Sequence, residues 1–189
     1  MKRNMKTRIK ILIVKAFAAI LFLTAIAPAS VYATENKPLK LYKILPFRKI
    51  SVKGNVEVIL IQRQAIGISY TDDNVGYAKV VQLGETLNIT GTGKETSKLI
   101  IYVNDLFRID AEENAVVRTD GMLTTRFLQV VLKGNAHADI HTKTQGLYTS
   151  IQDQSDLRLK GYTDRHFLFA DEMPKLTVDG FVALHTQQD

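Results

Sequence analysis

A repeat constrains this chain more than any other feature. Leu128, Val130, Leu132, Gly134, Ala136, Ala138 and Ile140 fall in register with Leu147, Thr149, Ile151, Asp153, Ser155, Leu157 and Leu159, each 19 residues further on. A shift of 21 in the other direction brings Phe107, Ile109, Ala111, Glu113, Ala115, Val117 and Thr119 into the same columns. A further copy runs from Phe167 and Phe169 to Leu176 and Val178. Its inner parity is expected to slip by one around Glu172 to Pro174, at a bulge or corner. A fixed period near 20 residues is the mark of units that bury their apolar row only by stacking on one another.

Within and ahead of the repeat, apolar residues alternate with polar ones, the period-two pattern of half-buried strands. It predicts strands in Ile50–Gln62, Gly67–Thr71, Leu87–Thr90, Leu99–Val103 and Leu128–Ile140. The stretch Asn74–Leu83 reads either as one or two helical turns through Val75, Ala78 and Val81 or as a short strand. The expected fold is all-β: one domain, a parallel β-helix or β-solenoid-like stack with coils of 19 to 21 residues. Lys53-Gly54-Asn55 and Lys133-Gly134-Asn135 supply tight turns, whereas Asp153-Gln154-Ser155 and Glu172-Met173-Pro174 turn by other means. The alternative is an antiparallel β-sandwich, in which a repeated hairpin pair produces the same period.

The opening of the chain reads as an address. Lys2, Arg3, Lys6, Arg8 and Lys10 precede the apolar run Ala16–Ala27, and Pro28 to Ala33 supply the small residues of a secretory cleavage site. Cleavage is expected after Ala33, with Ala29 as the second choice. An uncleaved anchor needs roughly 20 apolar residues, and Lys15 and Pro28 bound the only run that approaches this. With no cysteine, the chain has neither a disulfide nor a thiol to carry a lipid. The whole chain has 25 Lys and Arg against 19 Asp and Glu, but six of those bases lie in the leader, leaving 19 against 19. A balanced domain has no global electrostatic reason to seek nucleic acid or anionic membranes. No membrane span is expected to remain after cleavage.

The sequence assigns no catalytic residue, no metal ligand and no cofactor. His137 and His141 are four apart, but on a strand that spacing separates them by about 13 Å along one face. His166 and His185 have no partner motif. Asp139, Asp156, Asp171 and Asp179 are the acids that could furnish a glycosidase pair. The aligned outward rows, however, read His137, Asp156, Lys175 and Asp139, Arg158, Thr177, which pairs acids with bases or neutral residues. Gly91-Thr92-Gly93-Lys94 sits between two predicted strands and opens no helix, so it is a turn and not a phosphate loop. Tyr70, Tyr77, Tyr102, Tyr148 and Tyr162 are the residues best suited to stack on a sugar or a protein surface.

The segment Phe47-Arg48-Lys49-Ile50-Ser51-Val52-Lys53-Gly54-Asn55-Val56-Glu57-Val58-Ile59-Leu60-Ile61-Gln62 resembles the opening of the auto-transporter adhesin head GIN domain family. Gly84-Glu85-Thr86-Leu87-Asn88-Ile89 is similar to that family's second landmark, and the resemblance runs from Tyr42 to Val182. Members commonly repeat Gly-Ser-Gly-Asp-like turns in the second half; this chain has Glu113-Asn114, Gly134-Asn135, Gln154-Ser155 and Met173-Pro174 there. The resemblance implies an exported β-solenoid-like domain of a bacterial cell envelope. The expected organisation is a signal peptide over residues 1–33, a lead-in over 34–43, the domain over 44–185 and a tail over 186–189. The expected function is non-enzymatic binding of an envelope glycan or protein. The alternatives are a small carbohydrate-active enzyme and a periplasmic component of a signalling system.

Overall fold

The computed structural model describes residues 44–171 and 173–188. The predicted leader and lead-in lie outside the described residues, as does Glu172. The described chain is all-β and forms one mixed sheet of fourteen strands. In chain order these are β1 (Lys49–Lys53), β2 (Val56–Gln62), β3 (Gly67–Tyr70), β4 (Ala78–Leu83), β5 (Thr86–Gly91), β6 (Ser97–Val103) and β7 (Arg108–Glu112). They continue as β8 (Val116–Thr119), β9 (Leu123–Thr124), β10 (Phe127–Leu132), β11 (His137–Ile151), β12 (Asp156–Ala170), β13 (Lys175–Thr177) and β14 (Phe181–Gln188). No helix among them is long and apolar enough to cross a membrane. Asn74–Leu83 resolves in favour of a strand, β4.

The repeat sets the pairing of the second half. Leu128, Val130 and Leu132 lie beside Leu147, Thr149 and Ile151, the 19-residue register. Ala138 and Ile140 lie beside Leu157 and Leu159, again 19 apart, and Leu157 lies beside Leu176. The 21-residue register joins Ile109 to Val130 and Val117 to Ala138. Inward side chains therefore fall into columns that cross the strands. One column is Ile89, Val52, Ala111, Leu132, Ile151 and Ala170. The other is Leu99, Val58, Val117, Ala138, Leu157 and Leu176. All but the last member of each are almost wholly buried, and each large aliphatic so placed contributes about 1.5–3 kcal/mol relative to exposure.

Several expectations need correction. The sheet is not uniformly parallel, because β3 runs antiparallel to β6 and β4 antiparallel to β5. These two strands cover the interior at one end: Ile68, Tyr70 and Val80 pack against the core there. The order of strands also departs from the order of the chain. β1 lies between β5 and β7, and β2 between β6 and β8, so the first unit in sequence is sandwiched between two later ones. In addition, Phe107, Phe167 and Phe169 do not join the inward columns. Leu106, His166, Leu168 and Ala170 point inward instead, and Phe167 is 43% exposed. The parity changes at Asp164–Arg165, between buried Thr163 and buried His166; the stretch Glu172 to Pro174, where the sequence predicts a slip, includes Glu172, which lies outside the described residues. β14 continues through Gln188, which pairs with Leu168 and so extends into the stretch read as a tail.

One corner shows why the mixed turn sequences are equivalent. Gly54, Glu113, Gly134 and Asp153 have φ of 81°, 62°, 71° and 59° and occupy the same position in four successive units. This left-handed region suits Gly and tolerates Asp. The Asp153 carboxylate also accepts a hydrogen bond from the Gly134 N–H at 2.7 Å, tying adjacent corners together. The next residue forms a ladder: Asn135 donates to Asn114 and Asn114 to Asn55, each at 3.4 Å. Inside the same corner sits a column of small residues, Ala115, Ala136 and Ser155, each fully buried. At Gly54 a Cβ would stand 2.7 Å from the Gly91 carbonyl oxygen, whereas at Gly84, φ 58°, it would meet nothing. In chemical denaturation Gly54→Ala is expected to cost about 2 kcal/mol or more and Gly84→Ala about 1; equal costs would contradict the corner packing.

The interior is not wholly apolar. His166 is buried, shares a 2.8 Å hydrogen bond with Thr149 Oγ1 and lies edge-on to Phe181 with ring centroids 5.5 Å apart. Burial pushes its imidazole below the ordinary value. The unfolded chain therefore binds more protons than the folded one once pH drops below about 6.5. This contribution to stability is complete above that value and is lost as pH falls through it towards the folded pKa. Urea unfolding at about pH 7.5 and about pH 5.5 should show wild type weaker at the lower pH. His166→Leu should lose less stability between the two, and an equal loss in both proteins would contradict the assignment.

Candidate functional site

The same parity change recurs at a second corner and builds a groove. In successive units the outward pair is Arg126–Phe127, then Gln145–Gly146, then Asp164–Arg165; the last two lie between buried neighbours, and the first between half-buried Thr125 and buried Leu128. Two consecutive outward residues push side chains away from the sheet. Where the middle unit carries glycine, a depression remains.

Gly146 lies beside Phe127 on one side and Arg165 on the other. The Phe127 ring folds over it, so a Cβ at Gly146 would meet ring carbons at 2.8 and 3.1 Å. The resulting groove has a volume of about 490 Å³ and carries rings from four units, Phe107, Phe127, Tyr148 and Phe167. Three of these are well exposed: Phe127 by 48%, Tyr148 by 39% and Phe167 by 43%. A polar depression of about 630 Å³ adjoins it, shares Arg126, Gln145 and Asp164 with it, and adds Asp105, Thr125 and Tyr162.

The polar groups of the groove are held in place. The Arg126 guanidinium sits 5.3 Å from the Phe127 ring centroid and its Nε donates to Gln145 Oε1 at 3.2 Å. Beside the groove, Arg108 donates to Gln129 Oε1 at 3.0 Å and to both Asp110 oxygens at 2.7–2.9 Å, and the Asp110 carboxylate raises its pKa. The neighbouring Asp164 carboxylate raises the pKa of the Tyr162 phenol. Arg48 stacks at 5.7 Å on Phe107 and pairs with Asp105 at 3.1 Å. Flat apolar rings flanked by planar cations and amides can bind a ligand that is apolar on one face and polar at its edges.

The chain belongs to the family described as putative auto-transporter adhesin, head GIN domain. The family model matches residues 46–187. The fold of this head GIN domain is similar to a putative adhesin from Bacteroides fragilis, with TM-score 0.66 and 20% identity over 78% of this chain and 72% of that one. A putative adhesin from Parabacteroides merdae gives 0.58 and 15%, covering 78% and 74%. A putative lipid binding protein from Parabacteroides distasonis gives 0.55 and 11%, covering 78% and 75%. No curated protein matches the chain.

The residues considered from sequence fall in several places on the head GIN domain. His137 and Lys175 both pair with Asp156, at 3.3 and 3.9 Å, and Asp139 pairs with Lys160 at 3.7 Å. The expected row His137, Asp156, Lys175 is thus realised, as is Asp139, Arg158, Thr177. Asp171 and Asp179 are exposed, His166 is buried, His185 is exposed on β14, and the His141 N–H donates to Thr119 Oγ1 at 2.9 Å. Among the described residues no three His, Cys, Asp or Glu side chains could hold a metal ion. Gly91–Lys94 joins β5 to β6 as a turn.

Of the tyrosines, Tyr148 lines the groove and Tyr162 the polar depression. Tyr70 bonds to the Ala78 backbone, Tyr102 lies under Arg63 at 4.7 Å, and Tyr77 is exposed elsewhere. Sequence reasoning missed Phe127, Arg126 and Arg165 and placed Phe107 and Phe167 inside. A signal was present: Phe107, Phe127, Tyr148 and Phe167 recur at intervals of 20, 21 and 19, the period of the units themselves. Gly146→Ala should lift the Phe127 ring, shifting its aromatic NMR signals while the methyls of Leu87 and Ile89 keep theirs. Unmoved Phe127 signals would contradict the seat described for it.

Proposed function

We propose that this head GIN domain is an exported, non-enzymatic binding module of the cell envelope that holds glycan in the aromatic groove. The observation that carries the reading is the set of exposed rings on adjacent units, spaced by the sheet and flanked by Arg126, Arg165 and Gln145. A pyranose ring is apolar on its C–H faces and ringed by hydroxyls. The rings pack against the faces, while at the rim guanidinium groups donate to the hydroxyls, carboxylates accept from them and amides do both. Tyr148 and Phe167 are register partners, so one strand spacing of about 4.8 Å separates the backbones that carry these two rings.

Further features support finer parts of this reading. The 19- and 21-residue registers support a solenoid-like stack for the second half. The basic, apolar and small-residue segments before residue 34 support export with cleavage after Ala33. Against a hydrolase stand the ion pairs that occupy Asp139 and Asp156. A glycan array with the mature domain, followed by calorimetry on the best binder, tests the proposal. Tyr148→Ala and Phe167→Ala should each weaken binding about tenfold, the loss of ~1.4 kcal/mol of ring contact, with thermal stability retained. An empty array, or binding indifferent to both substitutions, would sink it; release of sugar lost in Asp139→Ala and Asp156→Ala would instead establish an enzyme.

A further inference from the structure

The two ends of the sheet differ in how the interior is closed. At one end the inward columns finish at Ile89 and Leu99, which are fully buried beneath the antiparallel strands β4 and β3. At the other they finish at Ala170 and Leu176, which remain only half-buried, with Phe181 beside them. The outermost strand there, β14, pairs with β12 alone among the described residues. Its eight residues, Phe-Val-Ala-Leu-His-Thr-Gln-Gln, contain no Lys, Arg, Asp or Glu, and Val182 and Leu184 are 56% and 59% exposed. Edge strands left to face water are ordinarily blunted by charge, proline or brevity. The neighbouring edge is blunted in that way: β13 has three residues, begins with Lys175 and follows Pro174.

We propose that two copies of this chain associate end to end along β14, about a twofold axis beside Leu184. Three observations select a second copy. First, β14 itself carries no formal charge, so no like-charge contact arises within the paired strands, and an antiparallel pair about a twofold axis completes both edges at once. Second, β14 turns a corner at Leu184: Thr163 pairs with Ala183 and Arg165 with His185, leaving Asp164 and Leu184 at the bend. A twofold axis through that bend exchanges its two arms, so residues 181–187 of the bent strand lie on their own image. Third, the chain's own lead-in is too short to do the same. Leu45 is bonded to Gln82 of β4, seven strand steps from β14, about 34 Å at 4.8 Å per step. Residues 34–43, which would remain after cleavage, span at most about 36 Å and could not then lie along β14.

The association has a consequence for the groove. The corner that carries it runs from Arg126 and Phe127 through Gly146 and Asp164 to Leu184, where the axis lies. Two copies therefore bring their grooves together across the interface. The inference itself stands on β14 and does not require a ligand.

Analytical ultracentrifugation of the mature chain over a dilution series should give twice the monomer mass, dissociating at low concentration. Paired Val182→Lys and Leu184→Lys substitutions should weaken association about a hundredfold or more with unchanged circular dichroism. Val81→Lys with Leu83→Lys, on the opposite edge, should leave it intact. Because the chain has no cysteine, Leu184→Cys alone should yield disulfide-linked dimers on oxidation, and this readout decides should the lysine pair fail to fold. A wild-type chain monomeric at every concentration, a β14 lysine variant that still dimerises, or no cross-link through Leu184→Cys would each overturn the proposal; the first would leave the edge to water or to a different protein.

Discussion

Parallel backbone hydrogen bonding between like segments of successive units holds this domain in register, and every other feature is positioned by it. Once Leu132 lies beside Ile151 and Ala138 beside Leu157, the alternation of each strand sends one set of side chains into a shared interior and the other outward. A slip of one residue would exchange the two sets. The left-handed corner at Gly54, Glu113, Gly134 and Asp153 then recurs because the turn must begin at the same place in each unit. Glu113 and Asp153 accept a conformation that costs non-glycine residues about 1–2 kcal/mol. The Asp153 bond to Gly134 and the Asn55, Asn114 and Asn135 ladder offset part of that cost.

The groove follows from the same constraint. Each unit turns more than once, and at its second corner the strands stay hydrogen-bonded while the inward parity changes. Two adjacent outward positions result in every unit, and their identities decide whether the corner is a ridge or a furrow. Phe127, Gly146 and Arg165 make it a furrow with an aromatic wall. Charge is managed differently on the flat faces, where Asp156 lies between His137 and Lys175 and Asp139 meets Lys160. Such partly exposed pairs stabilise by a fraction of a kcal/mol.

The second half of the fold was legible in the sequence because its neighbours in space are neighbours in sequence at a nearly constant offset. The first half was not. β1 lies beside residues 37 and 59 further on, and β2 beside residues 41 and 59 further on, with β3 and β4 intervening. No single period expresses those distances, so the antiparallel cap and the sandwiched first unit leave no regular trace. Corners defeated the pattern for a related reason. Extending strict alternation through Asp164–Arg165 or through Leu106–Phe107 turns Phe167 and Phe107 inward, when the bend has already reversed the parity. Of the site, Tyr148 was legible as an exposed ring on a strand. Phe127 was not, since its exposure depends on the missing side chain of Gly146 in the next unit.

The most direct test of this account is the detection of through-hydrogen-bond couplings by NMR in the isotope-labelled domain. The account predicts couplings from the His137 N–H to the Ala115 carbonyl, from Asp156 to Ala136 and from Lys175 to Ser155, bonds of 2.9, 2.9 and 2.8 Å that each link one unit to the next. Couplings that instead join each strand to the strand adjacent in sequence, as hairpins of an antiparallel sandwich would, contradict it.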